Sequence, residues 1–284
     1  MWKFKTIELG ESRSLHAAQA GKGPDLVLIH GAMTTGHDWR EGPAGTLARD
    51  HRVTVIDRPG HGASRRPRFA GTPRDQGRQI AEGLERLGVG RATLVAHSFG
   101  CMAALALAEQ LPQRVDGLVL VAPIGFPEMR LVEQTMLAPR ALPLVGPFLS
   151  GLAHLTRVDR AFLGLVQRLM FSPAAIPPRW LETFPFDEIL DPAVMSAEGE
   201  DTAAVLPLSP AGTLVHASIE APAIVLAGTA DLIVDKERQA RPLAAALPRA
   251  ELRVVAGAGH MLHHSHAAEV IDAVRDVARA EALA

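Results

Sequence analysis

The chain has 284 residues, 48% of them hydrophobic, enough for one large α/β domain with a smaller inserted part. Its 29 Lys and Arg nearly balance 31 Asp and Glu, and its one basic cluster is the short "SRRPR" at 64–68, which argues against a nucleic-acid partner. A single cysteine, Cys101, excludes an intrachain disulfide and a cysteine-based metal cluster, and no stretch approaches the roughly eighteen uncharged apolar residues of a membrane-spanning helix.

The N-terminal "MWKFKTIELGES" interleaves charges with apolar residues and lacks the continuous apolar region of a signal peptide, so a cytoplasmic protein is expected. "KFKTIEL" (3–9) alternates as a strand, with "SLHAAQAG" (14–21) as its hairpin partner. "DLVLIHG" (25–31) is a continuous apolar run ending in glycine, the pattern of a strand buried on both faces. A strand and loop follow in "HRVTVIDRPGHG" (51–62), then a helix over 74–88 in which two glycines weaken the pattern. "RATLVA" (91–96) is a strand, 99–110 a helix, and "VDGLVLVAP" (115–123) a further strand. This alternation predicts a mostly parallel central sheet flanked by helices.

The rhythm breaks from about Gly125 to Ser218. No buried strand is evident there, and amphipathic pieces such as "PLVGPFLSGLAHL" and "DRAFLGLVQRLM" are punctuated by proline. Strand grammar resumes in "APAIVLAGTAD" (221–231), followed by a helix (236–248), a strand and loop (250–260) and a closing helix (265–283). The expected organisation is therefore a core over 1–125, a helical cap over 126–218, and the rest of the core over 219–284.

Ser98 stands at the corner between an apolar strand and an apolar helix, in "AHSFG". A serine hydroxyl needs a base to take its proton, a carboxylate to hold that base, and N–H donors for the oxyanion. The competing reading of Ser98 is an ordinary helix N-cap. Asp231 follows the strand "APAIVLAG", where carboxyl ends of parallel strands assemble sites; Asp235 is its local competitor. His260 follows "AGAG" after the last strand, with His263, His264 and His266 as neighbouring alternatives that also read as a His-rich surface or a weak metal cluster. The order serine, aspartate, histidine fits a strand-end catalytic triad. The backbone N–H groups of Ala32, after "LIHG", and Phe99 are the natural oxyanion donors. His30, His97, Asp57 and His61 read as structural, and Cys101 as a small buried residue at a helix–sheet contact.

The motifs "LIHGAMTTGHDW", "VIDRPGHGAS", "LVAHSFGCMAALALA", "VLAGTADLIVD" and "GAGHMLHH" together resemble the α/β-hydrolase superfamily across both core segments. Within it the chain is similar to cofactor-free serine hydrolases with a helical cap, namely carboxylesterases and carbon–carbon bond hydrolases, and to a hydrolase-like accessory protein of bacteriochlorophyll synthesis. The resemblance implies a triad of Ser98, Asp231 and His260, and an oxyanion hole at Ala32 and Phe99. Ala96 and Cys101 stand where the family commonly has glycine. The family's haloalkane dehalogenases and epoxide hydrolases carry aspartate at the Ser98 position, which speaks against both activities. Carbon–carbon bond hydrolases commonly have tryptophan after the triad histidine, where this chain has Met261.

The expected reaction is hydrolysis of a small lipophilic carboxylic ester. The alternatives are cleavage of ring-cleavage diketones and a non-hydrolytic binding or accessory role in pigment synthesis. No cofactor and no metal are expected, since no Gly-rich segment spells a dinucleotide fingerprint after a strand. The partner is a small lipophilic substrate, with a homodimer left open.

Overall fold

Continuous apolar runs become the inner strands of one sheet because both of its faces are covered. The strands are β1 (Lys3–Gly10), β2 (Arg13–Ala20), β3 (Asp25–Ile29), β4 (Arg52–Ile56), β5 (Ala92–His97), β6 (Val115–Val121), β7 (Ala223–Gly228) and β8 (Ala250–Val255). This is a computed structural model, and it describes residues 1–207 and 209–282. The order across the sheet is β1-β2-β4-β3-β5-β6-β7-β8; β1–β2 and β2–β4 are antiparallel and every later pair is parallel.

The core helices are α1 (Gly36–Arg40), α2 (Ala44–Leu47), α3 (Pro73–Arg86) and α4 (Gly100–Gln110). Between β6 and β7 come α5 (Leu131–Leu137), α6 (Val145–Thr156), α7 (Val158–Phe171), α8 (Pro178–Glu182), α9 (Phe186–Ile189) and α10 (Pro192–Ala204). The chain closes with α11 (Ala240–Ala246), α12 (Leu262–Ser265) and α13 (Ala267–Ala282). Among the described residues no helix is long and apolar enough to cross a membrane.

The period of two along each strand sorts side chains between two cores. Val27, Ile29, Leu94, Ala96, Leu118 and Leu120 pack with α3, α4 and α11 on one face. Leu26, Leu28, Val95, Val119 and Val121 pack with Trp39, α2 and α13 on the other. Helix α4 is apolar on all sides because it lies wholly inside: every residue from Gly100 to Ala108 is buried. Fully burying a leucine such as Leu105 is worth about 1.5–3 kcal/mol, and truncating it to alanine costs about 2–5 kcal/mol.

A third apolar cluster joins Leu163, Met170, Phe171, Trp180 and Phe184 of the segment between β6 and β7 to Met33 and Met261, which flank the carboxyl ends of the strands. That segment therefore sits over the strand ends. Several boundaries differ from the sequence expectation; the closing helix, for one, is split into α12 and α13. Helix α11 starts at Ala240 rather than Lys236, because Asp235 Oδ1 caps Glu237 N–H at 2.8 Å and the Gln239 side chain is drawn to Gly125 and Phe126. Helix α10, Pro192–Ala204, has no amphipathic pattern in the sequence to mark its start. Asp191 caps it through Ala193 N–H at 2.8 Å, and its residues Val194–Asp201 are all buried, which leaves no one-sided apolar stripe to read.

Candidate active site

Ser98 sits immediately after β5 with φ +51°, a left-handed conformation unusual for a residue with a side chain. Two hydrogen bonds to its carbonyl, from Cys101 N–H at 3.1 Å and Ile124 N–H at 3.2 Å, hold it there, and its own N–H donates to Val121 O at 2.9 Å. The N-cap of α4 is Phe99, without a side-chain capping bond, so Ser98 is not the ordinary helix cap that its local sequence also allowed. The tight residue of the corner is Gly100: a Cβ there would lie 2.4 Å from His30 O. Ala96 is accommodated inside the core beside Ile29 and Leu120. Cys101 is buried, donates to Ala96 O across 3.2 Å, and has its thiol pKa pushed up by burial.

His260 and Asp231 stand beyond the ends of β8 and β7. His260 Nδ1 lies 2.9 Å from Asp231 Oδ2. A carboxylate accepts only, so Nδ1 carries the proton and Nε2 is the acceptor nitrogen. The other Asp231 oxygen accepts from Ile233 N–H at 2.7 Å and Val234 N–H at 2.9 Å. Burial works against ionisation of Asp231, but His260 and these N–H groups outweigh it and lower its pKa. Ser98, His260, Ala32 and Phe99 line one narrow cavity of about 70 Å³, otherwise walled largely by apolar side chains such as Ile124, Leu137, Phe162 and Met170. Among the described residues, neither the Ala32 nor the Phe99 backbone N–H has a hydrogen-bond partner. Buried backbone N–H groups are rarely left unpaired.

A doubly wound parallel sheet with a serine elbow after β5, an aspartate after β7 and a histidine after β8 is decisive when joined to a sequence-family match over residues 24–267. The chain belongs to the α/β hydrolase fold family. Its relatives include an uncharacterized protein of Mycobacterium tuberculosis, 29% identical over 287 residues that span 96% of this chain and 79% of that one. A pimeloyl-[acyl-carrier protein] methyl ester esterase of Nitrosomonas europaea is 38% identical over 109 residues, 38% of this chain and 41% of the other. Among solved structures, the N-acyl homoserine lactone degrading enzyme Est816 matches with a TM-score of 0.65 and 26% identity, covering 96% of this chain and 99% of that one. A thermophilic esterase from Thermogutta terrifontis has the same fold, with a TM-score of 0.72, 22% identity, and coverage of 98% and 99%.

The competing residues of this hydrolase-fold chain are occupied elsewhere. Asp235 caps the turn before α11 and is half exposed. The neighbouring histidines do not form a His-rich surface: His263 is fully buried, and it and His264 each point Nε2 at an Asp38 oxygen, both at 2.8 Å. Asp38 also accepts from Trp180 Nε1 at 3.0 Å. Burial opposes the Asp38 charge, yet His263 and His264 hold its pKa well below the usual carboxylate value. Nothing local in "GHDW" marks Asp38, whose burial and histidine partners exist only in the fold.

A second network was also missed. Arg58 Nη1 donates to Asp201 Oδ2 at 2.6 Å and Arg58 Nη2 to Gly31 O at 3.2 Å. Arg66 pairs with Glu200 and Asp201, and Arg68 with Glu200. His61 lies 3.3 Å from Glu198. The basic run after "DRPGHG" is therefore matched to the acidic "EGED" of α10. His30 and Asp57 hold the same loops, with His30 Nε2 accepting from Arg58 N–H at 2.9 Å and Asp57 Oδ1 from Gly36 N–H at 2.8 Å. His97 donates through Nε2 to His260 O at 3.1 Å, behind the cavity. Among the described residues, two groups have metal-like spacing, Asp38–His97–His263 and His61–Glu198–Asp201. In the first, Asp38 is already satisfied by three N–H donors; in the second, the Arg58 cation occupies Asp201.

Proposed function

We propose that the protein is a serine hydrolase that cleaves small lipophilic carboxylic esters through an acyl-enzyme. One observation carries this reading: Ser98, held at φ +51°, shares its cavity with a histidine oriented by a carboxylate and with two unpartnered backbone N–H groups. His260 Nε2 takes the Ser98 proton as Oγ attacks the ester carbonyl. Asp231 stabilises the imidazolium that results. The oxyanion is held by the N–H groups of Ala32 and Phe99, the latter at the start of α4, where the helix dipole favours negative charge. His260 then gives its proton to the leaving alcohol, and water repeats the sequence to release the acid.

The apolar walls of the cavity favour an acyl or aromatic group over a sugar, and the relatives named as a methyl ester esterase and as an N-acyl homoserine lactone degrading enzyme fit an acyl substrate. Arg130 reaches the same cavity but is committed to Glu133, with Nη2 2.7 Å from Oε1. A free cation for the carboxylate of a ring-cleavage diketone is thus missing at that position, which weighs against carbon–carbon bond cleavage.

The test is a series of p-nitrophenyl esters of increasing acyl length, run with the wild-type chain and Ser98→Ala. Hydrolysis of the shorter esters is expected, with a loss of at least about 10⁴-fold in S98A. Undiminished hydrolysis by S98A would remove Ser98 from the mechanism.

A further inference from the structure

The segment over the cavity exposes far more apolar surface than its own packing needs. On α6, Val145, Phe148, Leu152 and Leu155 recur at i, i+3, i+7 and i+10, one face of a helix, and Phe148 and Leu155 are 68% and 80% exposed. On α7, Val158, Leu165 and Leu169 form a second exposed stripe, while Leu163 and Met170 on its other side are buried in the core. Contiguous exposed apolar surface on this scale marks a binding face.

The α7 stripe is continuous with the entrance to the site. Leu165 and Leu169, with Met129, Leu131 and Leu232, line an open groove of about 370 Å³. That groove shares Arg130, Glu133, Phe162, Val166 and Ile233 with the cavity at Ser98. The groove and the cavity at Ser98 are therefore neighbours across a shared wall.

Charge selects the occupant. Over the α6–α7 pair, 145–171, the chain carries Arg157, Arg160 and Arg168 against one acid, Asp159, and the acids of the groove, Glu128, Glu133 and Asp235, are paired with Arg130 and Arg238. Asp159 is buried and neutralised by Arg140 at 2.6 Å. Among the described residues, the exposed Arg157, in the left-handed turn between α6 and α7, and Arg168 of α7 have no ion-pair partner, and Arg168 lies next to Leu165 (i, i+3) on the helix surface. Two copies of this face would bring like charges together. An anionic bilayer offers both an apolar interior and the complementary charge.

We propose that the α6–α7 pair docks on an anionic phospholipid surface and that the site draws its lipophilic substrate from it. Delivery of substrate rests on the serine hydrolase reading; docking does not. The test is flotation of the full chain with phosphatidylcholine vesicles, with and without phosphatidylglycerol, beside hydrolysis of a soluble short ester and gel filtration. Flotation is expected only with phosphatidylglycerol and is weakened by salt. R157Q/R168Q reduces partitioning about thirtyfold, and F148D/L155D abolishes it while both variants keep the wild-type far-UV spectrum and short-ester rate. Absence of flotation by the folded wild type overturns docking, as does equal flotation on neutral vesicles or a dimer that F148D/L155D dissolves. Inactivity on every ester, with flotation intact, overturns the hydrolase reading alone.

Discussion

The backbone N–H of Met33 donates to Glu198 Oε1 across 2.6 Å, tying the loop that follows β3 to helix α10. Met33 has φ +56°, and its neighbour Ala32 carries one of the two unpartnered N–H groups of the cavity. Glu198 is fully buried; burial opposes its charge, but His61, Arg58 and the Met33 N–H prevail and lower its pKa. Glu198 thus ties to α10 the loop that carries the Ala32 N–H, and in the proposed mechanism it is a positioning residue for that donor. Glu198→Ala leaves a buried N–H unpaired, at a cost of about 1–3 kcal/mol. A misplaced donor lowers kcat about 10–100-fold, with a smaller change in KM. Glu198→Gln keeps an acceptor oxygen and recovers most of the rate. Steady-state kinetics on a p-nitrophenyl ester decide it; equal kcat in E198A and wild type would detach Glu198 from the oxyanion loop.

Asp231→Asn separates orientation from fold. The asparagine oxygen can keep the bonds from Ile233 and Val234 N–H, so the loop holds. Its amide then faces His260 Nδ1 with a donor, which forces the proton to Nε2 and leaves Ser98 without a base. The kcat of ester hydrolysis should fall about 10³–10⁴-fold while KM and the melting temperature stay near wild type. A loss below tenfold would place the orienting carboxylate elsewhere.

Asp38 joins core and helical segment at one point, since its three donors come from α12 (His263, His264) and α8 (Trp180). Removing the charge from this buried group by Asp38→Asn should destabilise the chain by about 3–5 kcal/mol and change the Trp180 emission. Urea denaturation followed by fluorescence and by circular dichroism measures both. A shift under about 1 kcal/mol would show that Asp38 behaves as a solvated surface ion.

Particular residues show which features the sequence makes legible. The strand-end positions of Ser98, Asp231 and His260 are readable because Ser98 follows β5 directly and the other two lie in the short loops after β7 and β8, and strand ends are marked by local pattern. The sheet is readable for the same reason: β3, β5, β6 and β7 are short uninterrupted apolar runs buried on both faces. Helix α10 escapes because burial all round erases its periodicity. Glu198 and Asp201 escape because their partners, Met33 and Arg58, lie 165 and 143 residues away in sequence. A lone acidic "EGED" reads as a solvated face until the fold brings "DRPGHGASRRPR" against it. Asp38 escapes likewise, since His263 and His264 lie 225 and 226 residues away in sequence.

Buried histidines set the acid sensitivity of the fold. Burial, reinforced by nearby charged groups, holds His30 and His97 well below the usual histidine pKa. Burial also lowers His263, although Asp38 partly offsets it. The unfolded chain therefore takes up protons near pH 6.5 that the folded chain refuses, so stability falls as pH drops below that value, until the folded-state pKa values are passed. Each histidine contributes a slope of up to about 1.4 kcal/mol per pH unit. Asp38 and Asp231 have depressed folded pKa values, so their contribution is fully present above about pH 4 and is lost only in stronger acid. Between pH 7 and pH 5 the histidines dominate. Unfolding free energy from urea titrations should fall steadily over this range, and His97→Asn should flatten the slope by about one histidine's share. A wild-type stability that is constant from pH 7 to pH 5 would mean that these histidines are protonated without cost in the folded chain.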